Sequence, residues 1–154
     1  MKLAEALTLR ADAVRRVEQL RARVVGSARF QEGEEPAEDA AELLTQCGEV
    51  LDELESLIRR INRTNSTAVV EGGGSLTDAL ARRDVLRLRH SVLTSAADAA
   101  VGQRGAVRQL RSELRMLSAV PVAQLRTQAD QVARELRELD VRIQRTNWEV
   151  DLVD

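Results

Sequence analysis

Four segments of this chain repeat aliphatic residues at steps of three and four positions, and this spacing constrains the fold more than any other feature. Such spacing places the aliphatic side chains along one side of an α-helix and the charged residues along the other. Each segment has about 25–30 residues and would form a helix about 40 Å long. Four such helices with modest connections predict a mainly α fold, an antiparallel four-helix bundle.

Glycines, prolines and a capping box mark where these helices start and stop. Ser75 and Asp78 match a capping box, which starts the third helix after the glycine triplet at 72–74. Pro36 and Pro121 open the second and fourth helices, because proline is tolerated in a first helical turn. The predicted helices therefore cover 2–26, about 36–65, 75–101 and 121–150.

Residues 106–120 fit no helical spacing clearly. Leu114, Met116, Ser118 and Val120 alternate with other residues, a period that favours a strand. Two interpretations stay open: a small two-stranded β-ribbon that pairs about 67–71 with 113–120, or a short helix or loop.

The two halves of the sequence resemble each other. Residues 53–65 and 135–147 are identical at most positions, and both end in Arg-Thr-Asn. Residues 3–10 and 76–83 share the pattern Leu-x-acid-Ala-Leu-x-x-Arg. We therefore interpret the chain as one domain, 1–154, built from two duplicated helical hairpins. Repeat one covers 3–65 and repeat two covers 76–147.

Composition argues against several classes of protein. Aromatic residues make up 1% of the chain, so the core is built from Leu, Val, Ile and Ala, which suits packed helices. The net charge of −2 does not indicate a general polyanion binder. No apolar run approaches the roughly 18 residues that cross a membrane. The charged residues Glu5, Arg10 and Asp12 do not resemble a signal peptide. We expect a cytoplasmic protein that does not bind membranes.

The residues of known catalytic and metal sites do not occur in their usual patterns. One His and one Cys exclude the usual zinc sites, and the glycine triplet is followed by Ser75 instead of a lysine. Glu32 and Glu38 are weak candidates for a divalent cation, since the acidic segment 31–39 lacks the spacing of a calcium loop. We expect no cofactor, and the sequence favours a non-enzymatic protein over an enzyme.

Some polar residues interrupt the aliphatic stripes. Arg10 and Arg83 occupy matching places in the two repeats, and a buried guanidinium is costly unless its donors are satisfied. In antiparallel hairpins Arg83 would lie near Asp140, and Arg10 near Glu53 or Glu55. We therefore expect forked arginine–carboxylate pairs at these levels.

Two interpretations of these residues stay open. They fix the register of the helices, as polar core groups can, or they line a pocket between the repeats for an anionic or polar ligand. The candidate residues for this pocket or buried network are Arg10, Asn65, Arg83, Asp84, His90, Asp140, Asn147 and Trp148.

Five segments carry a resemblance to a known family. They are Glu5–Asp12, Gln31–Glu38, Ile61–Asn65, Leu76–Asp84 and Arg137–Trp148. In combination they resemble the septicolysin-like family, small bacterial helical proteins of unestablished function. The resemblance implies a mainly helical, multimeric protein.

The leading functional interpretation is a self-assembling structural or interaction module, a homo-oligomer. Leu9, Leu88, Val92 and Leu110 lie off the main stripes, where they would supply a second contact face. The alternative is a protein that binds a small ligand or metal, with or without enzyme activity, at the polar pocket.

A third interpretation is a helical hairpin that binds nucleic acid. The segment 82–115 is rich in arginine, but no aromatic residue is interleaved and the whole chain is negatively charged. Nucleic acid is therefore the least favoured partner.

Overall fold

Four α-helices form the fold of this computed structural model, which describes residues 1–102 and 114–154. The helices are α1 (Leu3–Ser27), α2 (Ala40–Thr67), α3 (Leu76–Val101) and α4 (Val122–Glu149). The prediction of an all-α four-helix bundle is confirmed.

Capping side chains explain where α2 and α3 begin. The carboxylate of Asp39 accepts hydrogen bonds from the backbone N–H groups of Ala41 and Glu42, at 2.9 and 3.1 Å, so α2 starts at Ala40 and later than Pro36. At α3 the backbone N–H of Ser75 donates to Asp78 Oδ2 at 2.9 Å, and the N–H of Asp78 donates to Ser75 Oγ at 3.1 Å. The predicted capping box therefore forms.

The two-stranded β-ribbon, one of the two interpretations left open by the sequence, is not supported. Residue 67 ends α2, and the next residues form a tight loop in which Val70 N–H donates to the Gly74 carbonyl at 3.1 Å. Residues 114–120 form no strand, and Met116 is 91% exposed. Alternation without a partner strand does not stabilise extended structure. Residue 113, the first of the predicted second strand, lies outside the described residues.

The chain divides into two compact units. The first combines Met1–Val69 with Gln144–Asp154, and the second is Val70–Ile143. The first unit therefore holds α1, α2 and the last residues of α4, and the second holds α3 and most of α4.

In the first unit, α1 and α2 pack through aliphatic side chains at alternating steps of three and four. Leu20, Leu43 and Val50 are buried at the centre of this contact, and burial of each such side chain contributes about 1.5–3 kcal/mol. Partly buried residues pack around them, namely Ala13, Val17, Val24 and Cys47.

The second unit has a core of the same kind. Its buried apolar residues are Val70, Leu76, Ala79, Leu86, Ala97, Ala129, Val132, Leu139 and Ile143. Among the described residues, none of the helices is long and apolar enough to cross a membrane.

Candidate functional site

The buried side of α3 is a row of residues at alternating steps of three and four. Arg83 and His90 are half-buried members of this row, as their place in the sequence stripe predicted. We call the row the inner row of α3; its members are Leu76, Ala79, Arg83, Leu86, His90, Leu93, Ala97 and Ala100.

The predicted ion pair between Arg83 and Asp140 does not form. Asp140 instead lies near Arg87, which is one helical turn beyond Arg83. Arg83 Nε lies 3.4 Å from the carboxylate of the adjacent Asp84, whereas Asp140 lies 3.9 Å from Arg87 Nη2. The predicted level was correct to one helical turn. Arg83 belongs to the inner row, while Arg87 and Asp140 lie at its edge, where their charged groups reach solvent.

The expectation of a buried, paired Arg10 is wrong. Arg10 is exposed, and Glu55, one of its predicted partners, lies 3.8 Å from Arg59 in the next turn of α2. A long arginine side chain can leave an apolar row and keep its guanidinium hydrated, which avoids the cost of burying it.

The predicted site residues are divided between the two units. Asn147 is buried in the first unit, Asn65 is half-buried there, and Trp148 is 61% exposed. Arg10 also belongs to the first unit. The members in the second unit are Arg83, Asp84, His90 and Asp140. The pocket that both repeats would line stays a prediction.

The Arg-Thr-Asn ending of α2 has a structural role that the sequence did not reveal. Thr64 is fully buried; its hydroxyl donates to the Arg60 carbonyl at 2.8 Å and accepts from the Val153 N–H at 3.1 Å. Arg60 Nε donates to the Val153 carbonyl at 3.1 Å, and Arg63 donates to the Asp154 carbonyl at 2.9 Å. These contacts attach residues 150–154 to α2. We call this arrangement the C-terminal clasp.

The clasp also includes the first residues of the chain. Leu3 N–H donates to the Val150 carbonyl at 3.0 Å, and Leu152 N–H donates to the Met1 carbonyl at 2.9 Å. Lys2 Nζ lies 3.0 Å from the Asp151 carboxylate. The hydrogen bond and charge of Lys2 lower the pKa of Asp151 below its ordinary value.

The acidic connection between α1 and α2 contributes an ion pair. Glu38, a weak metal candidate, accepts a forked hydrogen bond from Arg23, which lowers the pKa of Glu38 and raises that of Arg23. Glu32, the other candidate, is exposed. No group of three or more His, Cys, Asp or Glu side chains that could hold a metal occurs within the described residues.

Open grooves lined by charged residues of both signs occur among the described residues. One of about 560 Å³ runs along α2 beside the C-terminal clasp, and its arginines Arg60 and Arg63 contact Asp154. A second, of about 350 Å³, lies beside the glycine triplet. There Gly72 has a φ of 97°, a backbone conformation that favours glycine, and it lies beside the flexible end of the Arg142 side chain. The small-ligand interpretation stays a prediction.

The arginine-rich segment is partly neutralised within its own unit. Arg82 lies 3.6 Å from Glu135, and Arg87 lies 3.9 Å from both Asp84 and Asp140. Arg104, Arg108 and Arg111 lie outside the described residues. The nucleic-acid interpretation stays a prediction.

A second row of small and aliphatic residues follows the opposite side of α3. Residues two positions apart in a helix point about 200° apart, so Leu88 points away from the side that buries Leu86. Val85 is 55% exposed, and Leu88 and Val92 are each 67% exposed. We call this row the outer row of α3; its members are Ala81, Val85, Leu88, Val92, Ser95 and Ala99.

The corresponding side of α1 is polar. When residues 3–10 are aligned with 76–83, the positions of Val85, Leu88 and Val92 fall on Asp12, Arg15 and Gln19. Asp12 and Arg15 form an ion pair on the surface of α1. Among the described residues, the outer row of α3 is the strongest candidate for a functional surface, because its aliphatic side chains are exposed.

Comparison with known proteins gives a family for this chain. The model of a family of unknown function, DUF6847, matches residues 10–152. The chain belongs to this family. Among curated proteins nothing matches it.

A solved structure is also similar to this chain. The crystal structure of a functionally unknown conserved protein from Corynebacterium diphtheriae is similar to this DUF6847 chain, with 40% sequence identity and a TM-score of 0.89. The similarity covers 99% of each chain.

The resemblance to the septicolysin-like family is therefore corrected. The family match gives DUF6847, the similar structure is that of a functionally unknown conserved protein, and nothing in them points to a septicolysin-like protein. Short segments rich in Leu, Arg and Glu recur in many helical proteins, which weakens an assignment based on such segments.

Proposed function

We propose that this DUF6847 protein is a self-assembling helical interaction module of the cytoplasm, and that the outer row of α3 is its contact surface. The cytoplasmic location is supported by cysteine usage: the sequence has one cysteine and forms no internal disulfide, which is usual for proteins of a reducing compartment.

The single observation that carries the proposal is the exposure of the outer row. Leu88 and Val92 lie one turn apart, each is 67% exposed, and Val85 extends the row by another turn. Isolated exposed aliphatic residues are common, but a continuous row of them is a recognised mark of an interaction site. Leu9, another residue expected in a contact face, is 48% exposed, and Leu110 lies outside the described residues.

The proposal includes an origin by duplication of a hairpin. Equivalent inner positions have similar burial: Leu3 and Leu76 are 0% and 1% exposed, and Ile61 and Ile143 are each 1% exposed. If one hairpin was duplicated, the apolar outer row of α3 marks a place where the second copy acquired its own role.

Sedimentation velocity over a range of concentrations tests self-assembly. We expect the wild-type chain to form a species of at least twice the 17.1 kDa mass of one chain. Leu88→Glu would introduce a charge into the contact and leave the inner row unchanged, so this variant should sediment as a monomer with wild-type helical content by circular dichroism.

Val141→Glu is the matched control. Val141 is 59% exposed on α4, in the same unit, and the outer row does not include it. This variant should assemble as the wild type does. A wild-type chain that stays at 17.1 kDa at high concentration would disprove the proposal, as would an equal loss of assembly in the two variants.

A further inference from the structure

We infer that the outer row of α3 pairs with the same row of a second copy, and that the two α3 helices run parallel about a two-fold axis. This inference rests on the proposed function and adds the partner, the orientation and the contacts that select it.

The order of residues in the outer row favours a parallel pair. Val85 is followed after three positions by Leu88, and after four more by Val92. In two-stranded parallel coiled coils, β-branched residues favour the first core position of a heptad and leucine favours the second. Val85 and Val92 occupy the first kind of position here, and Leu88 occupies the second.

Small residues extend the row on both sides of this centre. Ala81 precedes Val85, and Ser95 and Ala99 follow Val92. The row therefore runs over about 27 Å of helix, from 81 to 99. Small side chains at its ends allow two helices to approach along the whole row.

The edges of the outer row carry opposite charges. One edge has Asp84 and Asp98, and the other has Arg82 and Arg89. Asp98 and Arg82 have partners in their own unit, Arg126 at 2.9 Å and Glu135 at 3.6 Å. Asp84 lies 3.4 Å from Arg83 and 3.9 Å from Arg87 of its own helix, and its side chain is still 64% exposed. Arg89 is exposed and forms no ion pair with a residue that the structure describes.

This charge pattern distinguishes the two orientations. In a parallel pair, the acidic edge of one helix faces the basic edge of the other, and residues five positions apart meet. Asp84 of each copy then meets Arg89 of the other. In an antiparallel pair, each edge faces the same edge of the partner, so carboxylates face carboxylates and guanidinium groups face guanidinium groups. The parallel pair alone is complementary.

Disulfide cross-linking of the full chain tests the orientation. Cys47→Ser removes the native thiol, and Ala81→Cys or Ala99→Cys then places one cysteine at either end of the outer row. Cα atoms joined by a disulfide lie about 4.4–6.8 Å apart. In a parallel pair every core residue faces its own copy, so each variant alone should form a disulfide dimer. The alanines are exposed, which makes loss of folding unexpected.

The alternative outcomes separate this inference from the proposed function. If the two variants cross-link only when mixed, the helices are antiparallel and the inference is overturned, while self-assembly through α3 stands. If neither cross-links and the chain sediments as a monomer, both fail. Val141→Cys in the same background measures random collision, and equal cross-linking of this control would also overturn the inference.

Charge substitution gives an independent test. Arg89→Asp would place carboxylates at both edges of the parallel pair, and we expect the dissociation constant to rise by about tenfold. Asp84→Arg combined with Arg89→Asp exchanges the charges and should restore most of the affinity. In an antiparallel pair Arg89→Asp would instead relieve repulsion between guanidinium groups. Tighter assembly of this variant would therefore overturn the inference.

Discussion

The α1/α2 hairpin and the α3/α4 hairpin have similar buried aliphatic rows and different edges. Along the α1/α2 contact, Leu44, Leu51 and Ile58 lie beside the buried row of α2 and are 58%, 46% and 36% exposed. Along the α3/α4 contact, the edges carry the ion pairs Arg82–Glu135 and Arg87–Asp140. The two hairpins therefore share buried aliphatic rows, while their edges and outer faces differ.

The largest expected effect tests whether the buried rows are equivalent. Ile61→Ala and Ile143→Ala each remove a side chain that is 1% exposed, so each should lower the free energy of unfolding by about 2–5 kcal/mol. Urea denaturation measures both variants. If only one of the two variants lost stability, the buried rows of the two hairpins would not be equivalent.

The next effect concerns the C-terminal clasp in the first unit. Thr64→Val keeps the shape of the side chain but leaves the Val153 N–H without its acceptor, so we expect a loss of about 1–3 kcal/mol. Hydrogen exchange should accelerate at residues 150–154 more than in α3. Thr67→Val is the control, because the Thr67 hydroxyl donates only to carbonyls of its own helix. An equal change in both variants would contradict the role given to Thr64.

A smaller effect distinguishes the two kinds of edge. Leu51→Ala should cost about 1 kcal/mol, since roughly half of this side chain is covered. Arg87→Ala should cost between about 0 and 1 kcal/mol, and this cost should vanish in high salt, which screens surface charges. Urea denaturation at low and high salt measures both variants. If the stability loss of the two variants depended equally on salt, the apolar and the charged edge would not differ in how they stabilise the fold.

The smallest effect is the response to acid. The pKa of Asp151 is lowered in the folded chain by Lys2, so its contribution to stability is present above the unfolded value of about 4 and is lost as the pH falls through the lower folded value. Asp151→Asn should therefore reduce the difference in urea midpoint between about pH 7 and about pH 3. Asp52→Asn, an exposed change on α2, should leave that difference unchanged.

The predictable parts of the fold depend on neighbours in sequence. Ser75 and Asp78 predicted their capping box because both partners lie within one helical turn. The position of Asp140 relative to α3 was predicted to within one helical turn, because the rise per residue is constant along a helix. The β-ribbon stayed one of two open interpretations because alternation does not reveal whether a partner strand exists.

The candidate site was less predictable. Leu88 and Val92 were recognised because they depart from the helical stripe. The role of Thr64 was missed, because its partner Val153 is 89 residues away and no local pattern joins them. Arg10 was expected inside because its position is in the stripe, but the length of its side chain allows the charge to stay in water.

The four helices, their capping and their packing rows follow from the amino-acid sequence, since turns and aliphatic spacing act over a few residues. The exposure of Arg10, the contact between Thr64 and Val153, and the exposure of the outer row of α3 became known from the three-dimensional arrangement of the chain. Exposure and hydrogen bonding depend on which distant groups come into contact, and sequence spacing alone does not specify those contacts.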